Sequence, residues 1–98
     1  KLCSLRDCTI NYTASTYLTF GKIEGCFFIN TVTAVSSSEN NKLQILCPTQ
    51  MIGNTFIGRS EMNFNSNKVQ FIGNAMQYSQ SYTSFPTGSV NTGTMITG

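Results

Sequence analysis

Residues 17–35 read YLTFGKIEGCFFINTVTAV and hold the densest cluster of aromatic and β-branched side chains in the chain. Such side chains pack well on the pleated surface of a β-sheet. The stretch consists of two strand-like runs that meet at Glu24-Gly25. It therefore predicts a β-hairpin that forms the first piece of a sheet.

Further strand-like runs follow along the chain. Residues 42–47 form one run that Pro48 ends, because proline cannot donate to a strand ladder. Residues 55–64 and 68–72 flank a polar turn and predict a second hairpin, and residues 90–96 predict the last strand. Phe-Ile-Gly begins at Phe56 and again at Phe71, but the flanking residues differ and predict no repeat.

Six to eight short strands without a helical period predict an all-β fold, either a single antiparallel β-sandwich or a jelly-roll-like barrel. The length of 98 residues fits one domain. We expect residues 1–8 to be a leader or neck and residues 9–98 to form the single β head domain.

The chain carries few charges and many hydroxyl and amide groups. Charged residues make up 10% of it and the formal net charge is +2, whereas Ser, Thr and Asn supply 34 of the 98 residues. The basic residues are scattered, so the sequence predicts no binding to nucleic acid. No apolar run reaches the length of about 18 residues that a membrane-spanning helix needs, so we expect no membrane insertion.

The sequence shows no catalytic motif. It contains no histidine, and its acids are Asp7, Glu24, Glu39 and Glu61. Glu61 follows Arg59 by two residues, which predicts an exposed ion pair on one strand face. Nucleophilic catalysis through Ser or Cys needs a base, usually histidine. We therefore expect no enzyme activity, no catalytic residues and no cofactor.

The four cysteines are Cys3, Cys8, Cys26 and Cys47. Their spacing fits no zinc-binding pattern, so we expect no metal site. Cys26 and Cys47 lie inside strand-like runs, where a free cysteine behaves as a small buried apolar side chain. Two disulfides are the alternative, and a loop closed by Cys3 and Cys8 requires an oxidising compartment.

A candidate ligand site lies in the segment after residue 73, where amide, hydroxyl and aromatic side chains occur together. Sugar-binding sites commonly combine an aromatic face with amides and hydroxyls that bond the OH groups of the sugar. The predicted ligand-binding residues are Asn74, Gln77, Tyr78, Gln80 and Tyr82. In the alternative interpretation, Tyr78 and Tyr82 cap the core or lie in a subunit interface.

Several segments follow one another in a recognisable order. They are FGKIEG at 20–25, a hydrophobic strand at 26–35, a Ser/Asn loop at 36–41, a short strand that ends at Pro48, and a Thr/Gly-rich stretch at 91–98. This order resembles the C-terminal head domains of phage tail-fibre and baseplate receptor-binding proteins. The resemblance implies a homotrimer, a host cell-surface polysaccharide as ligand, and a place at the phage tail tip after synthesis in the host cytoplasm.

The residues and the resemblance together predict a noncatalytic receptor-binding head that recognises a host cell-surface glycan. Trimerisation would also bury the edge strands of a domain with few charges to protect them. One alternative is a structural capsid or tail decoration domain. Another is a secreted bacterial adhesin or pilin-like module at the cell surface, in which the four cysteines would be paired.

Overall fold

The computed structural model describes residues 3–13, 16–31, 42–58, 61–65, 67–77 and 85–97. Within these ranges the regular elements are β-strands, and no helix there is long and apolar enough to cross a membrane. The strands are β1 (Ser4–Arg6), β2 (Thr9–Tyr12), β3 (Thr16–Leu18), β4 (Lys22–Glu24), β5 (Phe27–Asn30), β6 (Lys42–Ile45), β7 (Thr49–Ile52), β8 (Thr55–Ile57), β9 (Glu61–Asn63), β10 (Val69–Ile72), β11 (Ala75–Gln77), β12 (Val90–Thr92) and β13 (Met95–Thr97).

The strands form three sheets, and the pairings within each sheet are parallel. Sheet A contains β1, β4, β7, β10 and β12 in that order, sheet B contains β2, β5, β8, β11 and β13, and sheet C contains β3, β6 and β9. From β1 to β10 the chain visits sheets A, B and C in turn and then returns to sheet A one position further along, and β11, β12 and β13 extend sheets A and B. It is therefore a parallel β-helix. Its successive turns, coils 1 to 5, begin with β1, β4, β7, β10 and β12.

The predicted antiparallel sandwich or jelly-roll-like barrel is wrong, although the β-rich fold is confirmed. Glu24-Gly25 does not close a hairpin, because it joins β4 in sheet A to β5 in sheet B. These two strands pair instead with β7 and β8 of the next coil. The second predicted hairpin is wrong for the same reason, because β9 lies in sheet C and β10 in sheet A.

The segment expected to be a leader or neck contributes to the β-helix. Residues 4–6 form β1, which pairs in register with β4 at the end of sheet A. The contact continues past the strand, where the amide of Asp7 donates to the carbonyl of Glu24 over 3.1 Å. Residues 4–6 are therefore part of coil 1.

Each coil passes from sheet A to sheet B through a corner of two residues, and the first of them has a positive φ. These residues are Asp7 (52°), Gly25 (64°), Gly53 (62°), Gly73 (64°) and Gly93 (64°). Glycine adopts this backbone conformation without strain and aspartate tolerates it, whereas most side chains clash there. The repeated conformation allows each corner to stack on the next, as where the amide of residue 53 donates to the carbonyl of residue 72 over 3.0 Å.

Inward side chains form columns that run from coil to coil. In sheet A, Ile23, Met51 and Phe71 occupy equivalent positions, and none of them has exposed surface. The ring of Phe56 in sheet B lies between those of Phe28 and Phe71, at centroid distances of 5.1 and 5.8 Å. Burial of each such side chain contributes about 1.5–3 kcal/mol, so these columns supply much of the stability. Further buried apolar residues are Leu18, Leu43, Ile45, Met62, Phe64, Val69 and Met76.

Two corner asparagines, Asn54 and Asn74, are buried and hydrogen-bonded to the preceding coil. Oδ1 of Asn74 accepts the backbone N–H of Asn54, and its Nδ2 donates to the carbonyl of Met51, both over 2.9 Å. Asn54 makes the same two contacts one coil earlier, with the N–H of Cys26 and the carbonyl of Ile23, both over 3.0 Å. We call this row the asparagine ladder. It satisfies buried backbone groups that would otherwise be costly.

Coils 3 and 4 share the pattern Gln-apolar-Ile-Gly-Asn-x-apolar at residues 50–56 and 70–76. Equivalent positions are 20 residues apart, as the pairing of Gln50 with Gln70 shows. The two Phe-Ile-Gly triplets are not equivalent, because Phe56 lies in sheet B and Phe71 in sheet A. The repeat therefore exists, but in a different register from the one that the triplets suggest.

Replacement of Asn74 by alanine removes three hydrogen bonds and leaves the buried N–H of Asn54 without its acceptor. We expect Asn74→Ala to lower the free energy of unfolding by about 2–3 kcal/mol, as measured by urea denaturation. Asn11→Ala is the matched control, because Asn11 is exposed on β2, and it should change stability by less than about 0.5 kcal/mol. Equal effects of the two variants would contradict the ladder.

Cys26 occupies on coil 2 the corner position that asparagine holds on coils 3 and 4. Its Sγ reaches the carbonyl of Leu5 over 3.7 Å, which is a weak version of the ladder contact. We expect Cys26→Asn to extend the ladder and raise the melting temperature by about 4–8 °C, because each added hydrogen bond contributes about 1 kcal/mol. Cys8→Asn, at the same position of coil 1, should bring no gain, since no coil precedes it in the described residues. A lower melting temperature for Cys26→Asn would count against the ladder geometry.

Candidate functional site

A groove of about 280 Å³ lies on the outer side of the β-helix, where the chain enters sheet A. It crosses coils 2 to 5, because equivalent positions at the start of β4, β7, β10 and β12 line it. We call it the axial groove. Its lining includes Pro48, Gln50, Lys68, Gln70, Gly88 and Val90.

Two exposed glutamines on adjacent coils form an amide pair in the axial groove. Gln50 and Gln70 are paired in register, and Nε2 of Gln50 donates to Oε1 of Gln70 over 2.7 Å. A carboxamide has two N–H donors and an oxygen acceptor. The bond uses the oxygen of Gln70 and leaves both of its N–H groups available to a ligand.

Lys68 lies beside Gln70 on the same outer side, because Val69 between them is buried. Its side chain crosses Gly88 on the next coil. A Cβ atom added to Gly88 would lie 3.0 Å from Cε and 3.4 Å from Nζ of Lys68. Among the described side chains, no carboxylate is within ion-pair distance of Lys68. The ammonium of Lys68 in the groove therefore has no neutralising carboxylate among the described side chains.

Positive charge exceeds negative charge on the outer face of sheet A. At the coil 1 end, Glu24 lies between Arg6 Nε at 3.5 Å and Lys22 Nζ at 3.6 Å. Lys68 adds a third cation at the start of coil 4. This face therefore presents three cations and one carboxylate among its described side chains, and its field favours anionic ligands.

The two predicted ligand residues that the structure describes, Asn74 and Gln77, are not among the residues that line the axial groove. Asn74 is 1% exposed and its amide is part of the asparagine ladder, so a ligand at the surface cannot reach it. Gln77 is half-buried at the far end of β11, and its Oε1 accepts a hydrogen bond from the N–H of Gly58 over 3.3 Å. Outside the described side chains lie Tyr78, Gln80 and Tyr82, together with the predicted ion pair of Arg59 and Glu61.

All four cysteines are free thiols. Cys26 is buried, as the sequence predicted, and Cys47 is half-buried with its Sγ 3.4 Å from the carbonyl of Phe20. Among the described residues, no group of three or more His, Cys, Asp or Glu side chains is arranged to hold a metal ion. Cys26 belongs to the buried core, and Cys8 at the corner of coil 1 packs against it.

The outer face of sheet B has a different character from that of sheet A. Phe27, Ile57 and Met95 are exposed on it, by 46, 38 and 64%. A shallow depression of about 150 Å³ lies between β8 and β11 on the same face. Its described side chains carry no charge, so this face offers apolar contact but little electrostatic selectivity.

The groove residues were not predicted from the sequence, because Gln50 and Gln70 are 20 residues apart in the chain. Their proximity follows only from the 20-residue coil, whose sequence signal is the Gln-apolar-Ile-Gly-Asn repeat. Comparison with known proteins gives no match, whether to a family model, a curated protein or a solved structure. The chemistry of the groove is therefore the basis for the functional proposal.

Proposed function

We propose that this chain is a noncatalytic receptor-binding module whose axial groove binds a cell-surface glycan. The observation that carries the proposal is the in-register amide pair of Gln50 and Gln70 in an open groove along the coil axis. Amides both donate and accept, so they can bond the hydroxyl groups of a sugar. Repeated coils place equivalent groups about 4.8 Å apart, which suits a ligand that is itself a chain of similar units.

Apolar surface in the groove complements the amides. Pro48 and Val90 line the groove at either side of the glutamine pair. A sugar ring has an apolar side formed by its C–H groups, and such surface can pack on these side chains while the amides bond its OH groups. The volume of about 280 Å³ leaves room for a short part of a longer glycan rather than for its full length.

A noncatalytic role is supported by the composition of the groove. Glycoside hydrolysis generally uses a pair of carboxyl groups on opposite sides of the scissile bond. The described lining of the groove contains amides, aliphatic groups, one threonine and one lysine, and the chain has no histidine. Binding without turnover is the activity that this set of side chains favours.

The proposed setting is the exterior of a virion or cell, where a receptor is met. Placement at a phage tail tip remains part of the proposal, with a secreted adhesin as the alternative.

We also propose self-association as a homotrimer, which the uncharged face with exposed Phe27, Ile57 and Met95 supports, because apolar contact there removes surface from water. Analytical ultracentrifugation tests this last point, and a monomer at micromolar concentration would contradict it.

Removal of both amides should weaken glycan binding. We expect wild-type protein to bind members of a panel of cell-wall and capsular oligosaccharides, and Gln50→Ala/Gln70→Ala to bind the same members at least about tenfold more weakly. Both residues are exposed, so the variant should keep its melting temperature. Isothermal titration calorimetry gives the two affinities.

Gln77→Ala and Tyr82→Ala are the controls for the competing site predicted from the sequence. Both should bind the panel as the wild type does if the axial groove is the site. Loss of binding in these variants, with normal binding by the glutamine double variant, would move the site to the segment after β11. If the wild type binds no member of the panel, the proposal is overturned and a structural decoration role is favoured.

A further inference from the structure

Building on the proposed glycan binding, we propose that the axial groove is selective for an acidic sugar. Its anionic group would be bound between the ammonium of Lys68 and the Nε2 group of Gln70. The inference concerns the class of ligand, and it can fail while glycan binding itself stands.

The direction of one hydrogen bond decides the polarity of this part of the groove. Because Gln50 donates to Oε1 of Gln70, one lone pair of that oxygen is already used, whereas Nε2 of Gln70 presents two N–H donors. Lys68, two residues earlier on the same outer side, presents three more donors and no acceptor. The two groups together form a donor-rich patch, and its natural complement is a group that only accepts.

An ionised carboxylate or sulfate only accepts hydrogen bonds, whereas a hydroxyl both donates and accepts. Bonds to charged groups are also stronger than bonds between neutral groups. A neutral sugar would therefore leave the charge of Lys68 unpaired, whereas an acidic sugar would form an ion pair with it. Carboxylate and sulfate share this chemistry, and the test has to separate them.

The surroundings of Lys68 favour the same conclusion. Two carboxylates are described, and both lie towards the coil 1 end. Asp7 is at the corner of coil 1, and Glu24 on the outer face of sheet A contacts Arg6 and Lys22. The chain bends with glycine at residue 88, so the lysine stem lies flat across the next coil. The ammonium therefore lies beside Gly88 at the groove.

The test uses soluble acidic glycans and their neutral partners. The probes are an oligogalacturonate and a sialyllactose, each paired with its methyl ester, and a sulfated galactan oligosaccharide paired with its desulfated form. We expect wild-type protein to bind at least one acidic probe at least about tenfold more tightly than its neutral partner. Addition of salt should weaken the acidic complex and leave the neutral one unchanged, because salt screens exposed charges.

Lys68→Met removes the charge and keeps much of the side-chain length. It should reduce the preference for the acidic probe to within about twofold, because affinity for the acidic probe falls more than affinity for its neutral partner. Arg6→Met is the matched control, because it removes one positive charge from the same face three coils away, and it should keep the preference. The probe pair that shows this effect identifies the bound group as a carboxylate or a sulfate.

The outcomes are distinct for the two proposals. Equal affinity of wild-type protein for the acidic and neutral partners, or equal loss in Lys68→Met and Arg6→Met, would overturn the acidic selectivity and leave glycan binding in place. Absence of binding to all six probes and to the oligosaccharide panel would overturn both proposals. A preference that Lys68→Met alone removes would establish the selectivity.

Discussion

The fold depends on a two-residue corner at which the backbone leaves one sheet and enters another. Its first residue has a positive φ on all five coils, and its second residue faces the interior on coils 2, 3 and 4. A buried backbone N–H at this point needs an acceptor, because an unpaired one costs free energy comparable to a lost hydrogen bond. The side chains of Asn54 and Asn74 supply the acceptors, and strand pairing and core packing then follow in register from coil to coil.

The same register creates the candidate site. Gln50 and Gln70 begin equivalent strands and so lie side by side, with Lys68 held next to them across Gly88. None of these side chains is unusual by itself. Their value as a binding site comes from stacking, which turns residues 20 positions apart into neighbours and gives the groove its donor-rich end. The fold and the candidate site thus rest on one geometric fact, the parallel alignment of coils.

Strand content could be predicted from the sequence, because the β-branched and aromatic side chains of residues 17–35 favour a pleated surface wherever they occur. Strand direction could not, since a glycine with positive φ serves a hairpin and a sheet-to-sheet corner equally well, as Gly25 shows. The coil length was also not evident from the sequence. Its interval is 18 residues between Ser4 and Lys22, 28 between Lys22 and Gln50, and 20 between Gln50 and Gln70. Equivalent positions therefore recur at no constant spacing.

The candidate site was harder to predict for a related reason. Asn74 was predicted to bind ligand because amide, hydroxyl and aromatic side chains occur together after residue 73, yet the corner places it in the interior, where its hydrogen bonds hold two coils together. The most direct test of this account is a nuclear Overhauser measurement between backbone protons. A parallel β-helix predicts contacts that join Gln50 to Gln70 and Met51 to Phe71. Contacts that join residues 61–64 to 69–72 in antiparallel order would contradict it.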